Sequence, residues 1–491
     1  MSLELDKIEL FHQRLTPAHI SLCASTSHLT KGKWIHVAER QSRDRGHHCV
    51  ADTTLQQGDL LITEEPFIRQ LDHQLVSSHC HYCFRDMRLL DEEWHMCRDE
   101  DCLWVIQYCS EKCEQLGWSS MHQWLCRIPE LQCEDPDALF AFQGFLACRA
   151  KGQATLPGLE SNLKRHNPAQ LEEYQAKFRS MASLFYLSLS EVQCLVEILC
   201  QIRCNTFAVK TAKSNAIDSD RVVSRECVTL GRAIYLSASK LNHDCDPNAL
   251  ASFGNRYENP CQLKVRCIKS QLKPGQEVTI SYGPLASVHE RKERQKKLKN
   301  QYFFDCECQA CQSGDSTQTI YKCQLCKTGK MYRQQSNCPE CDQKHNWSHV
   351  LRTESEIEMF KKQSDYLKVL QLQSNIYHYH TLPIGDTMDK LAQLYCMQGQ
   401  MKPASDYSKK SLEIIQHIYG KISIEAAEEM MKLSTLLLNA CVTGHRNLRQ
   451  PTITHIKQTM ITYRLLGLDK SIPEDMEELE EMINHLFIMA P

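Results

Sequence analysis

The sequence predicts a multidomain α+β protein, in which a β-rich core is interrupted by small cysteine-rich modules and followed by an α-helical C-terminal domain. Three observations support this fold class. Most of the 27 cysteines fall in short clusters between residues 80 and 341. Apolar residues alternate over residues 278–282, after the turn Lys273-Pro274-Gly275, which indicates a short strand. From about residue 350 onward Gly and Cys are sparse, and apolar residues recur at helical spacing.

Length and charge limit the function classes. A chain of 491 residues suffices for two to four domains with cores of their own. Its net charge is −3, from 57 Lys and Arg against 60 Asp and Glu, so no overall field attracts it to nucleic acid or membranes. No apolar run has the length of a membrane-spanning helix, and the first ten residues, MSLELDKIEL, lack the pattern of a signal peptide. We therefore expect a soluble protein in a reducing compartment.

The cysteines indicate zinc rather than disulfides. Many of them form Cys-x-x-Cys pairs, and the sequence shows no export signal. Fifteen of the 27 belong to plausible metal clusters. The others lie among apolar neighbours, where a thiol behaves as a small buried hydrophobe; examples are Cys148, Cys194, Cys200 and Cys267.

Residues 1–40 are mixed and receive no functional assignment. The next segment, residues 45–51, is followed by a turn at residues 56–59 and by apolar residues 60–62, and we interpret it as a hairpin. Residues 80–126 then hold seven cysteines and one histidine in 47 residues, enough for two tetrahedral zinc ions. Because so small a module has little hydrophobic core, bound metal would supply much of its folding free energy. The eight candidate ligands are Cys80, Cys83, Cys97, Cys102, Cys109, Cys113, His122 and Cys126.

The middle of the chain alternates between helical and polar segments. Residues 127–205 carry helical apolar spacing, and the polar residues 210–225 are predicted to form a loop. Residues 289–299, HERKERQKKLK, favour a basic helix whose interleaved Glu290 and Glu293 indicate a solvated face. Another four-thiolate set follows and is interpreted as a structural zinc site: Cys323, Cys326, Cys338 and Cys341.

The segment between these regions combines three kinds of chemistry. Asn242 and His243 lie in the polar turn LNHDCDPN, and Tyr282 ends the predicted strand. Three thiols follow in Cys-x-Cys-x-x-Cys spacing, with a single upstream partner that would complete a tetrahedral zinc site: Cys245, Cys306, Cys308 and Cys311. Such a zinc would fasten the polar turn against the segment after Tyr282 and close a pocket.

These residues resemble a known family. The motifs NHDCDPN, GQEVTISY and CECQAC resemble the NHxCxPN, GEExxxxY-like and post-SET CxCxxC motifs of SET methyltransferases, in the same order. Residues 80–126, with the element YCS-x-x-C, resemble the MYND zinc finger. The combination is similar to the SMYD family, closest to the branch with YFFDC-x-C-x-x-C and a following ribbon.

The resemblance implies a β-rich SET core split by a MYND finger, with a helical insert, a zinc-bound post-SET cluster and a C-terminal tetratricopeptide-like domain. The last rests on the spacing of Met388, Leu391, Gly399, Ala404 and Leu412. The implied boundaries are 1–40 unassigned, 41–79 first SET part, 80–126 MYND, 127–205 insert, 206–285 SET core, 286–312 post-SET, 320–342 ribbon-like and 350–491 helical repeats. MYND ligands are cross-braced, so the first and third pairs would share one zinc, and the second and fourth pairs the other.

The resemblance also implies an activity, the S-adenosylmethionine-dependent N-methylation of lysines in histone or other proteins. Tyr282 would be the catalytic residue, and Phe207, Tyr302 and Phe304 would line the lysine channel. The implied cofactor residues are Arg45, Gly46, His47, Asn205, Ser239, Asn242, His243, Tyr282 and Phe304. In the family's K-G-x-G-L-like loop Gly46 matches the first glycine, whereas His48 replaces the second.

Methyl transfer to an amine is an in-line displacement that depends on alignment in a dry channel. The lysine must be neutral, and desolvation beside a positive sulfonium lowers its pKa. The expected partners are protein substrates in the cytoplasm and nucleus. The MYND resemblance implies a finger that binds proline-containing peptides, contacts nucleic acid or serves structure alone. An adaptor with an inactive SET core is the alternative, favoured by His48. A nucleic-acid-binding zinc protein is a third reading, against which the near-neutral charge argues.

Overall fold

The computed structural model describes residues 33–42, 45–90, 93–128, 130–131, 134–214, 225–255, 259–313, 320–333 and 335–488. Residues 1–32, most of the unassigned N-terminal segment, lie outside the described residues. The described chain mixes helix and sheet, as the sequence predicts. Small β-sheets and the cysteine-rich modules occupy its first two thirds, and its last third is helical.

The β core consists of short sheets around one apolar interior. A four-stranded antiparallel sheet is ordered Lys33–Trp34, Leu60–Glu64, Leu263–Cys267 and Ala249–Phe253. A three-stranded antiparallel sheet is ordered Ile68–Leu71, Arg225–Ile234 and Thr206–Ser214. The remaining pairs are Val37–Ser42 with Gly46–Ala51, Leu55–Gln56 with Gln271–Leu272, and the parallel pair Asn242–His243 with Thr279–Ile280. Burial alternates along Leu263–Cys267, because successive side chains of a strand point to opposite faces.

The structure changes two expectations about this core. The hairpin predicted from residue 45 onward is present, but its partner lies upstream, since strand Gly46–Ala51 pairs with Val37–Ser42 and residues 60–62 belong to another sheet. Residues 210–214, predicted as loop, continue strand Thr206–Ser214 against Arg225–Ile234, because cross-strand pairing compensates for their polarity. The rest of that predicted loop, residues 215–224, lies outside the described residues.

The cysteine-rich module combines a short antiparallel strand pair with a helical turn. Strands His95–Met96 and Gln107–Tyr108 pair, and helix Glu111–Gly117 leads through a π-helical turn, Trp118–His122, into helix Gln123–Leu125. Tyr108 is fully buried against Gly117, where an added Cβ would approach its ring to 2.5 Å. The module rests on the β core, because Phe84 is buried in that core and Arg69 stacks over the Tyr82 ring at 4.3 Å.

The helical insert predicted over residues 127–205 is present. Its helices are Pro136–Arg149, Pro168–Lys177, Arg179–Leu184 and Leu189–Asn205. Stacked Phe142 and Phe185 rings, 4.9 Å apart, lie in its core. A capping box of Ser188 and Glu191 begins the last helix. That helix passes directly into strand Thr206–Ser214, so its end and the first strand residues share one fixed position.

The C-terminal region is helical, as predicted. Short strands Tyr321–Lys322 and Lys330–Met331 of the second zinc set lead into it. Its helices are Trp347–Lys362, Tyr366–Ile376, Leu382–Met397, Met401–Tyr419, Ile424–Val442, Arg449–Leu466, Leu468–Ser471 and Pro473–Ile488. Gly399, at φ +74°, connects helix Leu382–Met397 to helix Met401–Tyr419. In this helix pair Ala404 is buried, and the rings of Tyr395 and Tyr407 stack.

The helical region returns to the β core near its end. The Ser471 hydroxyl donates to the carbonyl of Phe253 at 2.8 Å, and the Asn255 amide donates to the carbonyl of Lys470 at 3.2 Å. None of the helices in the described part of the chain combines the length and the apolar character that crossing a membrane requires.

Candidate active site

Tyr282 is held at the end of its strand by three hydrogen bonds. Its phenol donates to the carbonyl of Leu241 at 2.7 Å, and its backbone N–H donates to Nδ1 of His243 at 3.0 Å. Its own carbonyl accepts from the Tyr302 hydroxyl at 3.4 Å. Burial raises the pKa of the Tyr282 phenol well above its ordinary value. The phenol therefore stays protonated, with its hydrogen turned to the carbonyl and its oxygen left to accept.

Aromatic rings lie around Tyr282. The Tyr302 ring centroid lies 4.7 Å from that of Tyr282, and Phe304 packs edge-on at 6.5 Å. Burial also raises the pKa of Tyr302, to about 12. Phe207 is not in direct ring contact with this group, and it packs edge-to-face on Tyr235 at 5.4 Å. The structure therefore places Tyr302 and Phe304 around Tyr282, and Phe207 against Tyr235 instead.

Phe303 separates the two channel aromatics and has an unusual backbone. It ends helix Arg291–Tyr302 in the left-handed region, at φ +61°, which is rare for an aromatic residue. The helical insert stabilises this turn, because the Arg165 guanidinium donates to the carbonyl of Phe303 and the His166 ring packs on Phe303 at 4.7 Å. The turn presents Tyr302 and Phe304 on the same side.

Asn242 connects the polar turn to the N-terminal loop. Its amide donates to a Glu277 carboxylate oxygen at 2.9 Å and to the carbonyl of Arg45 at 3.3 Å. Glu277 also forms an ion pair with the Arg45 side chain. A second asparagine of the motif, Asn248, brackets the same strand, since its amide donates to the carbonyl of Glu277 and its oxygen accepts from the N–H of Thr279. Asn248 and Glu277 were not predicted as site residues, although they lie inside the motifs NHDCDPN and GQEVTISY.

The N-terminal loop turns at Gly46. This glycine has φ +61° with nothing within 4 Å of an added Cβ, which leaves the backbone open to a ligand. His47 lies 3.1 Å from the Glu39 carboxylate, which also pairs with Lys240. His48 fits without a left-handed backbone, because it lies in strand Gly46–Ala51 with Nδ1 3.2 Å from the carbonyl of Gly46.

Two predicted cofactor residues, Asn205 and Ser239, use their side chains in hydrogen bonds to backbone carbonyls. The Asn205 amide donates to the carbonyls of Gln201 and Glu160, and the Asn205 carbonyl accepts from the Ser239 hydroxyl at 3.4 Å. The amide therefore caps its own helix, while Ser239 ties the following turn to that helix end. The turn that contains Ser239 leads into Asn242, and its Lys240 contacts Glu39 in the strand before the N-terminal loop.

A buried carboxylate that our sequence analysis missed supports this turn. Glu64 is 3% exposed and accepts the N–H groups of Ser237 and Ala238, each at 2.8 Å. Burial raises its pKa. A glutamate at the end of an apolar strand carries no sequence signal of its own, since its partners lie more than 170 residues away.

The three candidate post-SET ligands meet their distant partner. The ligand atoms of Cys245, Cys306, Cys308 and Cys311 lie within 4.8 Å of one another. Cys245 Sγ lies 3.8 Å from Cys306 Sγ and 3.6 Å from Cys311 Sγ. A disulfide would require about 2.05 Å, whereas tetrahedral zinc with Zn–S bonds near 2.3 Å separates its sulfurs by about 3.8 Å. The donor set therefore fits zinc.

The other clusters fit zinc by the same geometry. Within the described residues, three more groups have ligand atoms within 4.8 Å: Cys80, Cys83, Cys109 and Cys113; Cys97, Cys102, His122 and Cys126; and Cys323, Cys326, Cys338 and Cys341. The first two are the cross-braced sets that the MYND resemblance implies. His122 Nε2 lies 3.3 Å from Cys102 Sγ, and the π-helical turn before Gln123 carries it there.

A cleft opens beside the Cys245 cluster. Its volume is about 1300 Å³, and it lies between the polar turn and the helices of the C-terminal domain. Ser281 and Ala286 line it on one side, and Tyr419 and Glu425 on the other. The cleft thus borders Ser281, the residue before Tyr282, and is formed by both regions.

Comparisons with known proteins agree with this arrangement. The SET domain family model matches residues 46–283. Protein-lysine N-methyltransferase SMYD4 of Danio rerio is 24% identical over 93% of this chain and 75% of its own length. N-lysine methyltransferase SMYD2 of Homo sapiens is 23% identical over 81% of this chain and 88% of its own. The match to the Mus musculus SMYD4 covers 49% of this chain and 32% of that relative. The chain thus contains a SET domain and is similar, over most of its length, to the SMYD protein-lysine methyltransferases.

Proposed function

We propose that this protein transfers the methyl group of S-adenosylmethionine to the Nζ of lysines in histone or other proteins. The observation that carries the proposal is the environment of Tyr282. Its phenol is oriented by the carbonyl of Leu241, next to the Asn242-His243 turn, and it lies among the Tyr302 and Phe304 rings. A cofactor site and a narrow aromatic channel would thus meet at one oxygen.

The residues around this oxygen fit S-adenosylmethionine, which supplies an electrophilic methyl group when bound. The open backbone of Gly46 lies on one side, and the Asn242 amide joins the Arg45 loop to the polar turn. Arg45, Gly46, His47, Asn242 and His243 would hold the cofactor, with backbone groups near Asn205 and Ser239. Phe304 would contact it from the channel side.

The chain's own residues would prepare the lysine. Burial among aromatic rings disfavours its charged form and so lowers its pKa. The Tyr282 phenol directs its hydrogen to the carbonyl of Leu241, which leaves the phenol oxygen free to accept from the amine and fix its direction. Because the same rings exclude water, the channel favours transfer to nitrogen.

The metal content and partners complete the proposal. We infer four zinc ions, two in a MYND finger at residues 80–126, one in the post-SET cluster and one in the ribbon at residues 323–341, supported by the four donor groups. Proline-containing peptides are the proposed ligands of the finger, and the cytoplasm and nucleus are the proposed location. His48 favoured the inactive adaptor; it lies in a regular strand, and the likeness to protein-lysine methyltransferases supports the enzyme over that alternative.

Titration calorimetry with S-adenosylmethionine, followed by methylation of a lysine peptide library, tests the activity. Asn242→Ala should weaken cofactor binding, whereas Tyr282→Phe should preserve it and reduce turnover by about 100-fold. Tyr186→Phe is the matched control, because Tyr186 is 60% exposed. A folded, zinc-loaded wild type that binds no cofactor would contradict the proposal and favour the adaptor.

A further inference from the structure

The basic helix Arg291–Tyr302 is not solvated all round. Two of its residues, Arg294 and Leu298, are 0% exposed and lie one turn apart on the same face. This face packs on the post-SET cluster, where Leu298 joins Cys245, Cys306 and Cys311 in one buried group. The interleaved charges led us to predict a solvated face, and that is correct for Lys292 and Lys296, which are exposed.

The Arg294 guanidinium reaches the cysteine cluster directly. Its Nη2 donates to Cys311 Sγ at 3.7 Å and to the carbonyl of Ala310 at 3.4 Å. Its Nη1 donates to the carbonyl of His289, which precedes the helix. One planar side chain therefore joins a candidate zinc ligand, the loop that carries it and the start of the helix.

The charge of a zinc-bound cluster favours a cation at this contact. Zn²⁺ with four thiolates carries a net charge of about −2, and burying such a charge is unfavourable unless it is compensated. A guanidinium stays charged in such a site and can donate several hydrogen bonds in fixed directions.

We propose that Arg294 is a positioning residue that retains zinc in the cluster of Cys245, Cys306, Cys308 and Cys311. It offsets the charge of the four thiolates and fixes the loop at residues 306–311 through Cys311 and Ala310. This inference rests on the proposed zinc occupancy of that cluster, but it does not depend on methyl transfer.

Differential alkylation of the full-length, zinc-loaded protein tests it. The protein is incubated with a zinc chelator and iodoacetamide, and labelling rates are read from tryptic peptides by mass spectrometry. Trypsin releases Cys306, Cys308 and Cys311 together in residues 300–322, and the ribbon pair Cys323 and Cys326 separately in residues 323–327. The ribbon peptide thus serves as an internal reference within each sample.

In Arg294→Met, residues 300–322 should be alkylated about 10-fold faster than in the wild type, or more, while the rate for residues 323–327 stays unchanged. Residues that support metal ligands contribute to metal affinity on this scale. Arg294→Lys keeps the charge without the planar fork and should be intermediate. Lys296→Met, on the exposed face, should match wild type. Wild-type rates in Arg294→Met would overturn the proposal, as would equal acceleration of both peptides in the Met and Lys variants.

The same experiment separates this inference from the zinc proposal itself. If the wild-type cluster held no zinc, residues 300–322 would label at the same fast rate with and without the chelator, which would overturn both. Slow, chelator-dependent labelling in wild type establishes the metal even if no lysine substrate is found.

Discussion

The imidazole of His243 lies between the Tyr282 backbone and the Cys245 thiol. Its Nδ1 accepts the N–H of Tyr282 at 3.0 Å, and its Nε2 lies 3.3 Å from Cys245 Sγ. Because Nδ1 accepts, the proton belongs on Nε2, which then donates to the sulfur. One imidazole ring thus connects the metal cluster to the backbone of the residue that carries the proposed catalytic phenol.

Replacing His243 by Phe should therefore affect both sites. The variant leaves the N–H of Tyr282 without its acceptor, which costs about 1–3 kcal/mol where the group is buried. We expect a lower unfolding temperature, weaker cofactor binding and faster zinc release from residues 306–311, measured by thermal unfolding, calorimetry and cysteine labelling. His73→Phe, at an exposed position, is the control. Unchanged zinc release would show that His243 acts on Tyr282 alone.

Glu64→Gln tests the buried carboxylate under the Ser237 turn. A glutamine offers one acceptor oxygen where the carboxylate offers two, so one of the N–H groups of Ser237 and Ala238 loses its partner. We expect a loss of about 1–3 kcal/mol in the free energy of unfolding, measured by urea denaturation, and weaker cofactor binding. The exposed Glu172→Gln should change neither. Equal stabilities would mean that the turn is held by other contacts.

The pH profile should reflect the two buried phenols. Burial raises the pKa of Tyr282 above its ordinary range and that of Tyr302 to about 12. Because both stay protonated, kcat/KM for a lysine peptide should rise with pH as the substrate amine loses its proton, and should not decline through about pH 10. A descending limb near pH 10 that disappears in Tyr302→Phe would contradict the assigned protonation states.

The two four-cysteine clusters should respond differently to loss of a ligand. Cys245→Ser removes a ligand beside His243, so we expect loss of one zinc and of cofactor binding. Cys323→Ser lies in the ribbon, which packs on the C-terminal helices through Tyr321 and Trp347, with rings 5.1 Å apart. It should also lose one zinc and destabilise the helical region but retain cofactor binding. Elemental analysis of zinc and calorimetry of cofactor binding distinguish the two variants. Equal losses of cofactor binding would show that the ribbon is coupled to the cofactor site.

Features that depend on local chemistry could be predicted from the amino-acid sequence. Cysteine spacing grouped the zinc ligands, apolar periodicity predicted the insert and the C-terminal helices, and the motifs around Asn242 and Tyr282 pointed to the SET core. These inferences succeeded because a metal site needs particular residue types at short spacing, and because a helix buries one face at a fixed period. The roles of the individual site residues remain predictions.

Which distant groups meet could not be predicted from the sequence and follows from the fold. Strand Gly46–Ala51 takes Val37–Ser42 as its partner, Glu64 reaches a turn more than 170 residues away, and Arg294 turns from a basic helix into a cysteine cluster. Each choice depends on long-range pairing or on compensation of buried charge, and neither leaves a periodic pattern in the chain. From the sequence alone a charged residue is expected to be exposed, and only the fold shows the partner that allows its burial.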